Sequence, residues 1–348
     1  MDGARAMSKR YLVTGGAGFI GSNYVNRLLA RGEDVVVFDN LSRSGAQRNL
    51  EWLRGKHGKD SFQLITADVR DAQALQQAAA DRDVIVHLAA QVAVTTSVTN
   101  PREDFEINAL GTFNMLEAAR ASGKFPAVVY ASTNKVYGGM EEVTVVEEET
   151  RYRYADFPFG ISEAQPLDFH SPYGCSKGCG DQYVRDYHRI YDLPTVVMRQ
   201  SCIYGPRQFG VEDQGWLAWF VIAALTGKPI SIYGDGKQVR DVLYVEDLLD
   251  AYDAALSHLN RSAGQVFNVG GGADNVISVW KEFQPMLEQA VGHAVPVALG
   301  DWRPGDQRIY VSDIRKAEHV LGWQPRYGVR AGLRELFEWV KANREMFA

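Results

Sequence analysis

A glycine turn near the start restricts this chain more than any other stretch. Gly15-Gly16-Ala17-Gly18-Phe19-Ile20-Gly21 follows the apolar run Arg10-Tyr11-Leu12-Val13-Thr14. A helical pattern continues to about residue 30, with Ile20, Tyr24, Val25 and Leu28 on one face. Asp34-Val35-Val36-Val37-Phe38 then reads as a second strand, closed by Asp39. A strand, a glycine turn, a helix and a strand make a βαβ unit for a dinucleotide. The glycines admit a pyrophosphate close to the backbone, and the helix N-terminus faces it.

Asp39 stands 24 residues after Gly15, where a carboxylate can accept from both ribose hydroxyls. It would repel a 2′-phosphate, so the expected cofactor is NAD rather than NADP, with Arg43 close enough to bear on the choice. Gly15, Gly18, Phe19, Ile20, Gly21, Asn40 and Ser42 complete this end of the expected cofactor site.

The alternation of strands and helices continues. Residues 62–66 read as a third strand followed by Asp68 and Val69; Asp68 is placed to meet the adenine or to cap the helix at 72–80. Residues 83–88 read as a fourth strand, ending in Leu88, Ala89, Ala90 and Gln91, small or slender residues that let a cofactor cross the strand end. His87 lies inside that apolar run and is expected in the core rather than as a base. Thr95, Thr96 and Ser97 form a hydroxyl cluster able to meet a sugar, or a plain loop. A helix expected at 102–122 carries Asn108, and a fifth strand at 127–131 delivers Ser132, Thr133 and Asn134. Five strands separated by helices imply an α/β fold: a Rossmann doubly wound parallel sheet, with the site at the strands' carboxyl ends.

Tyr173 and Lys177 share one helix face, one turn apart. The lysine ammonium and a bound nicotinamide cation both favour the phenolate, so Tyr173 can act as a base near neutral pH. Thr133 can add a hydroxyl to the same reacting oxygen. The intervening segment 138–171 is acidic, then aromatic and proline-rich; it reads as a substrate-covering flap or an oligomer contact.

After a sixth strand at 194–199 the chain leaves the sheet through Gln200, Ser201 and Cys202. An apolar helix at 216–225, a strand at 230–233 and Gly234-Asp235-Gly236-Lys237-Gln238-Val239-Arg240-Asp241 build a second region. A strand at 266–269 returns to the main sheet. The expected organisation is a Rossmann domain of residues 8–200 with 241–272, and a smaller, interleaved α/β substrate-binding domain of 201–240 with 273–348. Arg240 is a candidate for a substrate diphosphate through bidentate contacts, with Arg303 and Arg308 as further phosphate candidates.

Composition narrows the partners. A net charge of -6 with dispersed Lys and Arg argues against nucleic acid. No run approaches the length of a membrane span, and the leader 1–8 is too short and polar for a signal peptide. Three cysteines, Cys175, Cys179 and Cys202, fit a reduced cytoplasmic protein and form no metal set.

Together these motifs resemble the extended short-chain dehydrogenase/reductases that act on nucleotide sugars, over about residues 8–345. Within that family several stretches resemble the epimerases acting at C2 of CDP-hexoses of the paratose and tyvelose type. They are Asp39-Asn40-Leu41-Ser42-Arg43, Ser132-Thr133-Asn134-Lys135-Val136-Tyr137-Gly138, Ser171-Pro172-Tyr173-Gly174-Cys175-Ser176-Lys177, Arg207-Gln208-Phe209, Asp213-Gln214-Gly215-Trp216 and Asp306-Gln307-Arg308. The resemblance implies tightly held NAD, catalytic roles for Tyr173, Lys177 and Thr133, and a cytidine diphosphate site drawn largely from the second region. Its expected contacts include Thr96, Ser97, Asn134, Gln200, Ser201, Gln208 and Gln214. It implies transient oxidation to a 2-keto sugar, with hydride returned to the opposite face. It also implies a homodimer or homotetramer.

The residues bear on the outcome of that oxidation. Expelling water from a keto sugar needs an acid and a base beside the threonine. Thr133 is followed by Asn134 and Lys135, with no carboxylate, which favours epimerisation over elimination. Spacing alone leaves C2 of a CDP-hexose and C4 of a UDP-hexose open; C2 follows from the resemblance. A non-catalytic nucleotide-binding relative is the remaining alternative, and the retained Tyr–Lys pair argues against it.

Overall fold

Short runs of β-branched residues set the central sheet. The computed structural model describes residues 8–302 and 306–347. Strands β1 (Arg10–Thr14), β2 (Asp34–Phe38), β3 (Gln63–Ile65), β4 (Val84–His87) and β5 (Ala127–Thr133) enter it in order. The hairpin β6 (Val145–Glu147) and β7 (Tyr152–Tyr154) lies outside it, and β8 (Thr195–Gln200) rejoins it. The chain then forms β9 (Cys202–Tyr204), β10 (Ile230–Tyr233), β11 (Val239–Tyr244), β12 (Val266–Val269), β13 (Val276–Ser278), β14 (Val297–Gly300) and β15 (Ile309–Tyr310).

The main sheet has seven strands in the order β12-β8-β5-β4-β1-β2-β3, and every neighbouring pair is parallel. Burial on both faces explains the unbroken Val/Ile runs. The strand order reverses beside β1 and β4, so a crevice opens at their carboxyl ends, as in a doubly wound Rossmann sheet.

A second core lies around the apolar helix Trp216–Thr226, with Tyr204, Ile230, Trp280, Phe283, Leu336 and Phe347 packed against it. Its strands form two small groups: β10 with β14, and β11 between β9, β13 and β15. The chain crosses between the cores more than once. Helix Val245–Ser257 packs on the first core, and so do Ala317, Leu321 and Trp323 near the C-terminus.

Three local features differ from the expectations. The helix at 102–122 is interrupted: Pro101–Phe105 and Gly111–Ala121 are α-helical, and Glu106–Leu110 forms a π turn between them. A helix at Ala46–His57 arises where the sequence suggested none. Segment 138–171 is not a flap over the crevice. Its hairpin buries Tyr152 and Tyr154 in a satellite core with Tyr137, Ile161, Val239 and Tyr310, and Tyr154 donates to the Ile309 carbonyl at 3.1 Å. Aromatic residues hold this length of chain down where composition alone suggested mobility.

Candidate active site

The glycine turn is shaped by contact. A Cβ at Gly21 would lie 2.1 Å from the Gly15 carbonyl oxygen, so turn and helix approach too closely for any side chain there. Helix Phe19–Ala30 has no side-chain cap and no acid in its first turn, which leaves its first N–H groups to the crevice. Asp39 is buried at the end of β2, accepting from the Ala17 amide at 3.0 Å and the Leu41 amide at 2.8 Å. Burial raises its pKa and those two N–H bonds pull it back. An uncapped helix start, a close-packed glycine turn and an acid at the next strand end fit a dinucleotide with free ribose hydroxyls.

Gly15, Gly18, Phe19, Ile20, Gly21, Asp39, Asn40, Ser42 and Arg43 line the crevice, as do Asp68, Val69, Leu88, Ala89 and Ala90. Ser132, Tyr173, Lys177, Gln200, Gln208 and Gln214 line it further along. Asp68 caps no helix: Asp71 does, accepting from the amides of Gln73 and Ala74. Asp68 instead accepts from Asn40 at 2.9 Å and from Arg70, whose guanidinium holds it down at about 2.

Two expected cofactor contacts stand behind the lining. Asn108 is buried on the π turn, where it bonds both the amide and the carbonyl of Gln91 and also Asp104 and Ser176. Gln91 turns back on Ala93. These two shape the loop after β4 rather than the crevice wall. His87 is a core residue: it bonds the Thr14 and Thr112 hydroxyls, and burial drives its pKa down to about 3, so the ring stays neutral.

Tyr173 sits in the first turn of helix Ser171–Tyr191, with Lys177 one turn on; both are buried and both line the crevice. Burial raises the Tyr173 pKa to about 12, its bond with the Thr133 hydroxyl lowers it, and Asp104 raises it. Burial lowers Lys177 to about 7, against the pull of Asp181 and Asp104, and its ammonium lies 4.3 Å over the Tyr130 ring. Thr133 ends β5 and accepts the Lys135 amide at 3.2 Å, which fixes the direction of its hydroxyl. Ser132 donates to Asp181 at 2.6 Å, and Asp181 forms a buried bidentate pair with Arg199 at 2.9 Å. That pair joins the Tyr173 helix to β8.

A second cavity adjoins the first, for Val92 and Gln214 line both. Its wall includes Lys135, Trp216, Phe220, Tyr233, Gln238, Arg240 and Asp306. Arg240 reaches it while paired with Asp306 at 2.7 Å. Thr95 lines this cavity; Thr96 lines neither and is exposed. Ser97 is buried and accepts the Tyr173 amide at 3.1 Å, so it serves the helix start rather than a sugar. Asn134 is buried beside Thr133 and lines neither cavity. Ser201 is turned to Asp241, away from both. Arg308 is exposed, over the rings of Tyr152 and Trp302. Arg303 lies outside the described residues.

For some lining residues the sequence did not indicate their place. Arg207, Phe209 and Gly210 belong to the second region yet border the dinucleotide crevice. Their loop is tied down by Asn23 on the Pro206 carbonyl at 3.0 Å and by the Arg207 guanidinium, 4.2 Å over Trp52. Lys135 was visible as the residue two after Thr133, but the 3-10 turn Asn134–Tyr137 that aims it inward was not. Among the described residues no group of His, Cys, Asp and Glu could hold a metal ion, and no helix is long and apolar enough to cross a membrane.

The family model for GDP-mannose 4,6 dehydratase matches residues 12–336. A CDP-paratose 2-epimerase of Salmonella typhi is 43% identical over 340 residues, spanning 96% of this chain and 99% of that protein. Among solved structures, the UDP-glucose 4-epimerase of Thermotoga maritima with UDP-glucose superposes with a TM-score of 0.82 at 30% identity, covering 96% of this chain and 99% of the other. The dTDP-glucose 4,6-dehydratase DesIV of Streptomyces venezuelae, solved with NAD bound, gives 0.82 at 30% identity over 97% and 98%.

Proposed function

Because this chain belongs to the extended short-chain dehydrogenase/reductase family of nucleotide-sugar epimerases and dehydratases, we propose that it inverts C2 of a CDP-hexose of the paratose/tyvelose type. The protein is an NAD-dependent enzyme. The observation that carries the choice of epimerisation is the strand exit Thr133-Asn134-Lys135: a hydroxyl bonded to Tyr173, with no carboxylate following it to drive elimination. The similarity to the Salmonella typhi protein supports the CDP-sugar and the C2 position.

NAD, when bound, supplies a reversible hydride acceptor for a carbinol carbon. Gly15, Gly18 and Gly21 with the helix start would hold its pyrophosphate, Asp39 a ribose, and Lys177 the ribose nearest Tyr173. Tyr173 takes the hydroxyl proton of the sugar as a phenolate and returns it when the sugar has presented its other face. Lys177 keeps that phenolate accessible by its charge, and Thr133 directs the reacting oxygen. Burial excludes water from the exchange, since Tyr173, Lys177 and Thr133 are each less than one-tenth exposed.

We infer a homodimer or homotetramer paired through the helices at 101–121 and 171–191. Phe105, Phe113, Tyr183, Ile190 and Tyr191 remain exposed on them. Three free cysteines fit a cytoplasmic setting.

NMR of the purified protein with CDP-paratose or CDP-tyvelose in deuterated water, without added NAD, tests the reading. Interconversion with protium kept at C2 is expected. Deuterium at C2 would mean enolisation instead of hydride return. Inversion at C4 of UDP-glucose, with no action on either CDP-sugar, would favour the activity named for the Thermotoga maritima neighbour.

A further inference from the structure

Lys135 is a partly buried lysine without an ionic partner among the described residues. Its side chain lines the second cavity. Its ammonium has one long hydrogen bond, 3.4 Å to the amide oxygen of Gln307, and among the described residues no carboxylate stands within ion-pair distance. Arg240 lines the same cavity, but Asp306 already neutralises it at 2.7 Å. Burial and the Arg240 charge lower the Lys135 pKa to about 8 while Asp306 and Cys202 pull it up, the mark of an ammonium short of counter-charge. A partly desolvated ammonium with no ionic partner is costly unless another gain offsets it.

The backbone shows where that gain arises. The amide of Lys135 donates to the Thr133 hydroxyl at 3.2 Å, and Thr133 in turn meets Tyr173. One turn of chain therefore fixes the reacting-oxygen contact with its main chain and sends a cation into the adjoining cavity with its side chain. Trp216, Phe220 and Tyr233 line other parts of that cavity and offer aromatic surface for a base.

We infer that Lys135 is a substrate-binding residue that takes the diphosphate of the nucleotide sugar beside Arg240, anchoring the sugar from the same turn that holds Thr133. This rests on the nucleotide-sugar reading above and extends it to a residue outside the glycine, tyrosine and lysine motifs. A diphosphate brings the negative charge that the Lys135–Arg240–Asp306 group lacks, and a charge-assisted bond to it forms away from bulk water.

The test is calorimetric binding of CDP and of cytidine to the NAD-loaded wild-type enzyme and to Lys135→Met and Lys135→Arg. Lys135→Met should bind CDP about ten- to a hundredfold more weakly, bind cytidine as the wild type does, and keep its NAD content. Its melting temperature without nucleotide should be equal or higher, because a partly buried charge without an ionic partner has been removed. Lys135→Arg should recover most of the CDP affinity. Unchanged CDP affinity in Lys135→Met overturns the inference; so does an equal loss for CDP and cytidine, which would mark a structural lysine. If the wild type binds UDP, dTDP or GDP rather than CDP, the CDP-sugar reading fails. The same comparison, made with that diphosphate and its nucleoside, still decides the role of Lys135.

Discussion

At the scale of single residues the site is a set of charges held out of water. Burial pushes Tyr173 up to about 12 and Lys177 down to about 7, so each is pushed away from its charged form. The proposed catalysis near neutral pH needs the opposite for both, which a cation beside the phenolate and polar groups beside the lysine would provide. Removing the Lys177 charge disfavours the phenolate, so the Tyr173 pKa must rise. Lys177→Met is therefore expected to move the acid limb of the kcat–pH profile to higher pH, with kcat at pH 7.5 falling about tenfold for each unit moved. Tyr173→Phe should cost about a hundredfold to ten-thousandfold in kcat at every pH while NAD content is kept. A limb that stays in place in Lys177→Met would show that the lysine acts only in binding. Tyr173, Lys177, Asp39 and Thr133 were all legible in the sequence, because spacing within one helix or at a strand end carries their placement. Lys135 was not, because its direction depends on a short 3-10 turn.

At the scale of elements, local chemistry explains what could be read and what could not. The Gly15–Gly21 turn was legible because its tight packing is a requirement of backbone contact. Asn108 was placed on the right helix but given the wrong neighbour. The π turn Glu106–Leu110 sets its side chain on the Gln91 loop, and no residue type announces a π turn. The hairpin of β6 and β7 was missed because its stability comes from distant partners, which a local pattern does not contain. Arg151 pairs with Glu282 at 2.6 Å, Tyr152 donates to Asp235 at 2.5 Å, and Tyr154 is buried against residues near 309. The hairpin is a brace between the two regions. Tyr154→Ala is accordingly expected to lower unfolding stability by about 3–5 kcal/mol in denaturant titration, with KM for the sugar nucleotide unchanged. A raised KM at unchanged stability would restore the flap reading.

At the scale of the molecule, the parallel sheet and its crevice followed from the alternation of strands and helices, and the loop from 205 to 214 that closes the crevice did not. That loop comes from the other region, and only the tertiary fold brings Arg207 to Trp52. The proposed assembly rests on the exposed Phe113 and Tyr183, whose rings meet at 5.9 Å on adjacent helices. The double change Phe113→Glu and Tyr183→Glu is expected to give a monomer by light scattering, against a dimer or tetramer in the wild type. An unaltered mass would move the interface elsewhere. The path of the chain through its two cores also bears on how the protein is made. The first core is completed by Trp323 and the second by Phe347, so both wait on residues made long after the strands and helices that they cover. Helix Trp216–Thr226, apolar on every side, leaves the ribosome about a hundred residues before Leu333, Leu336 and Phe337 can cover it, a delay that favours aggregation of the nascent chain. Neither core is therefore complete until residues well beyond 300 have been made.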